Sequence, residues 1–502
     1  MKKQVILTWV TSILENLLIC GFVYGWANIQ PVLVREKYFS SHCDVTENAT
    51  FANATSSACN RQVELMSLVF TLSTSLGQFS CIVTGFALDK LGVWTTRTIL
   101  VFAITLGFLL FALSTPETSY LLLAVFPLIN VGGTGLLVLN HQLAGLFKQL
   151  KGSYSLTCQG AVNSAPVILM VWNRLYYSGV SLNAMVWFYI FFTLSLHLRT
   201  LTLTPRRSVP QNLRDDYRYG YKTISCLRYK KAKPLQSNLE SENLNQTTEN
   251  NNSPDSMNFV KSLKKNYFWT NAFGTSMVCL LSTFFVSSLD IFLPQVLGNN
   301  EGLVIEYTRT LGAFAASSLI FAPLNGALLD YLRRRFSKGS RCPQAATFKA
   351  LAVSFVLSNT YVIATYAFAL IPNAELQYLT LFFSVIARTT YVGCSTFLLT
   401  SSFPTKHYGK LAGVTRAMVG VTVLLQYPLV VLVTRSLDGK LTLVHAVLLA
   451  VSIVCMLHPA CLFRRQSVVS RSARNQRKIV DFLESSGNVE LKSVDEQVRI
   501  LN

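Results

Sequence analysis

Two stretches far apart in the chain carry the same arrangement of chemistry-bearing residues. In "TGFALDKLGVWTTR" Gly85 is followed four residues later by Asp89 and then by Lys90; in "NGALLDYLRRR" Gly326 is followed four residues later by Asp330. Glycine and aspartate at that spacing share one helix face, so the glycine admits a neighbouring helix where the carboxylate is presented. The carboxylate can then reach a basic residue or the positive end of that helix. The pair reads as a polar latch, used twice, that holds helices together in one state and lets them part in another.

Both stretches close long apolar runs, and further polar residues lie inside such runs, where an isolated one is costly and points to function by default. Glu15 is the acid within the first run, and an unpaired carboxylate there must find a cation or a proton. Arg388 is always charged and must meet water, an acid or an anionic substrate. Asn140, Gln159 and Asn163 can donate and accept in the pattern that a nucleobase edge offers. Tyr391 can stack on a planar ring. These six form the candidate substrate-binding set, with hydrogen bonding between helices as the alternative role for each. Asn130 can donate and accept in the same way and Tyr24 and Trp26 can also stack; Asn16, Asn325 and Gln426 are weaker candidates, and His141 reads as structural. The six histidines and eleven cysteines show no metal-ligand spacing and no nucleophile-base pairing. No catalytic residue, metal or cofactor is expected, and the chain does not read as an enzyme.

The elements that must hold these residues are membrane helices. Hydrophobic residues make up 51% of the chain and charged ones only 14%, against about a quarter charged in soluble domains. Many stretches of about 20 residues are apolar all round, matching a bilayer's thickness. Twelve spans are predicted: roughly 5–34, 64–88, 97–115, 119–147, 153–176, 183–203, 268–294, 308–332, 346–371, 376–402, 411–434 and 441–463. The first is too long for a cleaved signal and is read as retained.

Basic residues set the orientation. Lys2 and Lys3, Lys90 and Arg97, Lys148 and Lys151, the Arg333–Arg335 cluster with Lys338 and Arg341, and Arg464 with Arg465 all fall on one face, which is therefore expected to be cytoplasmic along with both termini. The net charge of +20 is thus a topology signal, and nucleic acid is not an expected partner. The loop "ENATFANATSSAC" carries sequons at Asn48 and Asn53 and is flanked by Cys43 and Cys59. Glycosylation and a Cys43–Cys59 bridge are expected there, on the opposite side. Residues 204–267 are polar and low in complexity, a linker between a half at 1–203 and a half at 268–463, with a basic tail at 464–502.

"GFALDKLG…R" resembles the signature loop of the major facilitator superfamily, with Lys90 where arginine is usual; the second copy has Tyr331 and no following glycine. "LLTSSFPTKHYGKLAGV", "LQYLT", "ILENLLICGFVYGW" and "APLNGALLD" resemble the solute carrier 43 family across most of the membrane portion, most closely its nucleobase branch. That resemblance implies an all-helical fold of two six-helix halves around a midplane cavity. It also implies a sodium-independent facilitative transporter of purine nucleobases such as adenine, in the plasma membrane. Transport of large neutral amino acids is the alternative that the residues leave open, and a non-transporting receptor or scaffold is a third.

Overall fold

The computed structural model describes residues 3–43, 60–147, 149–206, 209, 219–220, 259–297, 301–339, 342–437 and 440–485. Among them every regular element is helical. The expected modification sites Asn48 and Asn53, together with Cys59, Lys148, Arg341 and most of the 204–267 linker, lie outside the described residues. Cys43 is disulfide-bonded.

The described helices follow one another as twelve passes. Ten stretches are long and apolar enough to cross a membrane, and the longest, Leu65–Leu113, carries both span two and span three. The two are joined tightly: the chain turns at Gly92, whose φ of 81° suits a residue without a Cβ. Span five, built from Lys151–Ser164 and Pro166–Tyr177, is absent from those ten. Its first half, "KGSYSLTCQGAVNS", is too polar to face lipid, and Gly152 through Val162 are all buried within the protein. It packs on spans eight and ten, so its polarity marks the seam between the halves.

Span one is irregular. An α-helix over Lys3–Glu15 passes into a π-turn over Asn16–Cys20 and a 3₁₀ turn over Phe22–Gly25 before Trp26–Arg35 resumes the α-helix. The break falls where Gly21 and Gly25 press against Val162, Ala165 and Leu169 of span five. Beyond the expected end of span twelve near residue 463 the chain stays helical, in one helix from Leu457 to Ser485. Apolar side chains point outward along most spans, among them Phe102, Phe188, Phe191 and Ile320. A bilayer covers such a surface without cost.

Candidate functional site

Arg97, read from the sequence as a loop residue, is 1% exposed and inside the bundle of the first half. It forms an ion pair with Glu15, which also pairs with Arg199 at 2.5 Å. Asn140 completes the cluster, donating to Glu15 at 2.9 Å and to Asn16 at 2.8 Å while its oxygen accepts from Arg199. Ser12 and Thr200 take further guanidinium hydrogens. The cation that Glu15 needs is thus supplied within the protein, by Arg97 and Arg199. Both Glu15 and Asn140 have their hydrogen-bonding capacity taken up by neighbours in the same half. Two arginines against one glutamate still leave a buried surplus of positive charge.

The seam between the halves holds a different set. Gln159 donates to Asn163 at 3.4 Å, and Asn163 donates to Thr389 of span ten at 2.6 Å, so a chain of amides crosses from one half to the other. One residue before Thr389, Arg388 lies 5.4 Å from the centre of the Tyr24 ring, a cation–π contact. The Tyr24 hydroxyl accepts from Gln78 at 3.2 Å. Arg388 thus meets the break in span one, and Gln159 and Asn163 meet its neighbour Thr389. Tyr391 is not among them. It is fully buried in the second half, with Phe355 at 4.8 Å between ring centres and His458 at 6.3 Å, and among the described residues its hydroxyl has no hydrogen-bond partner.

A small cavity of about 20 Å³ lies between spans four, seven, ten and eleven, with His141, Thr275, Ser395, Thr396, Tyr408 and Arg416 in its wall. His141 is 1% exposed, with the Gln159 side chain beside its ring. Arg416 escaped the sequence reading, as did Arg199. The signal for both was present, since an ionisable residue within a predicted span is a candidate on that ground alone.

The two aspartate motifs are latched across the seam. Asp89 accepts from the backbone N–H groups of Gly409 and Lys410 at 3.1 and 3.0 Å, the first turn of span eleven. Asp330 accepts from the N–H groups of Gly152 and Ser153 at 3.0 and 2.7 Å, the first turn of span five, and from the Ser153 hydroxyl at 2.7 Å. Neither helix start has a side-chain cap of its own, so each carboxylate from one half satisfies orphan N–H groups of the other. The glycines serve close approach: a Cβ on Gly85 would collide with the Gly409 carbonyl, and one on Gly326 with the Ser153 backbone. Lys90 is exposed and takes no part in these bonds.

No family model matches the chain. It is 28% identical over 467 residues to the equilibrative nucleobase transporter 1 of Bos taurus, covering 90% of this chain and 94% of that protein. It is 22% identical over 525 residues to the large neutral amino acids transporter small subunit 3 of Homo sapiens, covering 90% and 92%. Among solved structures, the human organic anion transporter MFSD10 superposes with a TM-score of 0.52 at 14% identity, covering 93% of this chain and 99% of that one. The proton:xylose symporter XylE superposes with a TM-score of 0.54 at 15% identity, covering 91% and 96%. The fold is that of the major facilitator transporters, and these relatives and neighbours are transporters, not enzymes.

Proposed function

We infer that this chain, a multi-pass membrane transporter of the major facilitator fold and of the solute carrier 43 type, carries neutral purine nucleobases such as adenine down their gradient by alternating access. The observation that carries the reading is the division of polar groups at the seam. Glu15, Asp89 and Asp330 are each engaged by guanidinium or backbone N–H groups, whereas the Gln159–Asn163–Thr389 amide chain and the Tyr24 ring stand where the halves meet. A neutral planar base needs amide-like edges and a ring face and no counter-charge. A zwitterion needs an acceptor for its ammonium group. The bovine nucleobase transporter is also the more similar of the two relatives.

The amino-acid reading has one observation in its favour, the unwound stretch of span one at Asn16–Gly25, since a broken helix offers backbone groups to a charged substrate. In the same proposal the two halves, 1–203 and 268–463, rock about the seam, with 204–267 as their linker and 464–502 as a tail. The latched basic face is cytoplasmic with both termini, the membrane is the plasma membrane, Asn48 and Asn53 are glycosylated, and Cys43 pairs with Cys59.

Initial-rate uptake of labelled adenine and labelled leucine in cells expressing the chain, with and without sodium, tests the reading. Saturable adenine uptake indifferent to sodium is the expected result; leucine uptake without adenine uptake would overturn it.

A further inference from the structure

The basic residue of the first motif, Lys90, makes none of the latch bonds, yet a lysine does stand at the Asp89 latch. It comes from the other half. Lys410 gives its backbone N–H to Asp89 at 3.0 Å, and its ammonium lies 5.5 Å from the centre of the Phe86 ring and 5.6 Å from that of Phe259. Both distances are within reach of a cation–π attraction. Phe86 belongs to span two, one turn before Asp89, so ring and carboxylate share a face of that helix and meet the same turn of span eleven. Phe259 opens the short helix Phe259–Leu263 at the end of the linker, just ahead of span seven. The Trp269 indole N–H donates to the Leu263 carbonyl at 2.8 Å and ties that helix to span seven, while the Phe259 ring stands 6.1 Å from the ring of His407.

A lysine in the first turn of a helix faces the positive end of that helix's dipole and gains nothing from it. The Lys410 ammonium makes no ion pair among the described residues either. Its attraction resides in the two ring faces, and they play different parts. Phe86 moves with the first half and Lys410 with the second, so their contact exists only while Asp89 caps span eleven. Phe259 is joined to span seven and travels with Lys410. Its contact persists when the halves part and holds the long lysine side chain on the side where Phe86 arrives. Rotamer freedom is thus already spent when the cross-seam contact forms.

We propose that Lys410 is the cation of the Asp89 latch, with Phe86 as its partner across the seam and Phe259 as the residue that positions it. The end of the linker is thereby part of the gate, and a change at Phe259 reaches span two through Lys410. This rests on the alternating-access reading and is independent of which cargo is carried.

Hydrogen–deuterium exchange of the full chain in phosphatidylcholine nanodiscs, read by mass spectrometry, is the test. The first-turn N–H groups of Gly409 and Lys410, and of Gly152 and Ser153, are held across the seam by Asp89 and Asp330, so their exchange reads the unlatched fraction. Lys410→Met and Phe86→Leu should speed exchange at both pairs by about 3-fold, the worth of one cation–π contact at a half-exposed site. Lys410→Arg keeps the charge and should exchange like wild type. Phe259→Leu keeps apolar bulk without a ring and should give a smaller rise. That rise should vanish in the Lys410→Met background, because it acts through the lysine. Phe86→Trp, with the stronger ring, should slow exchange, a result that a damaged fold cannot imitate. Unchanged exchange in Lys410→Met, or a Phe259→Leu effect that survives there, overturns the proposal. So does faster exchange confined to 409–410, which is fraying of one helix end and not release of the halves. Labelled adenine uptake keeps the two readings apart. Exchange as expected with no adenine uptake by wild type removes the cargo and keeps the latch contact; adenine uptake with exchange unaltered in Lys410→Met removes the contact and keeps the cargo.

Discussion

The latch formed by Asp89 and the latch formed by Asp330 invert what their sequences suggest. The first comes from the better match to the signature pattern and makes two backbone bonds, with its carboxylate half-buried. The second comes from the degenerate copy, yet Asp330 is 1% exposed, adds the Ser153 hydroxyl to its two backbone bonds and has Arg333 3.6 Å away. The degenerate motif forms the tighter clasp because the tightness resides in the partner. Span five begins Lys151–Gly152–Ser153 and offers a hydroxyl beside its free N–H groups, whereas span eleven begins Tyr408–Gly409–Lys410 and offers only backbone. A motif of one half thus says where a carboxylate will stand, and the first turn of the opposite helix says how firmly it is held.

The Glu15 cluster gives this comparison its control, since its contacts stay within one half and do not change as the halves part. Glu15→Gln leaves Arg97 and Arg199 buried without a counter-charge and should cost about 3–5 kcal/mol of stability, read as lost surface protein and a lower melting temperature in detergent. A well-folded, stable Glu15→Gln that fails only in transport would make Glu15 a substrate ligand after all. Asp330→Asn should follow, with transport down about 10-fold at near-normal surface level; one to two kcal/mol of lost charge-assisted bonding is enough for that. Asp89→Asn should cost less, about 3-fold. A more damaging Asp89→Asn would break the ranking of the two latches. Ser153→Ala is expected to have the smallest effect, removing one bond worth about 1 kcal/mol. It should bring the Asp330 latch to the level of the Asp89 latch, so that the two aspartate variants cost the same in that background. If the Asp330→Asn deficit is unaltered there, the hydroxyl is not the source of the asymmetry.

How much of this was legible in the sequence varies by residue. The spans, the duplication and the paired Gly-x-x-x-Asp motifs follow from hydropathy and local spacing, which read side chains without reference to distant ones. Gln159, Asn163 and Arg388 follow from polarity within a span; the first two join Thr389 of span ten across the seam, and Arg388 meets the Tyr24 ring. The same rule selected Glu15, Asn140 and Tyr391, which the fold turns into a single half. Polarity states that a buried group needs a partner; helix rotation decides whether that partner is protein or cargo. Arg97 was misplaced for a related reason: eight residues past Asp89 it looks like part of a basic loop, but the turn at Gly92 is tight enough that span three has already begun.

By itself the sequence determined that this protein lives in a membrane, in two related halves with a carboxylate at matching places in each, because the bilayer's thickness and the cost of bare polar groups in hydrocarbon leave little choice. Only the tertiary structure decided which charges cancel, which helix ends each aspartate caps, and that His141 and Arg416 share a small cavity. Those outcomes depend on contacts between residues 82 or more positions apart, for which no local pattern in the chain carries a signal.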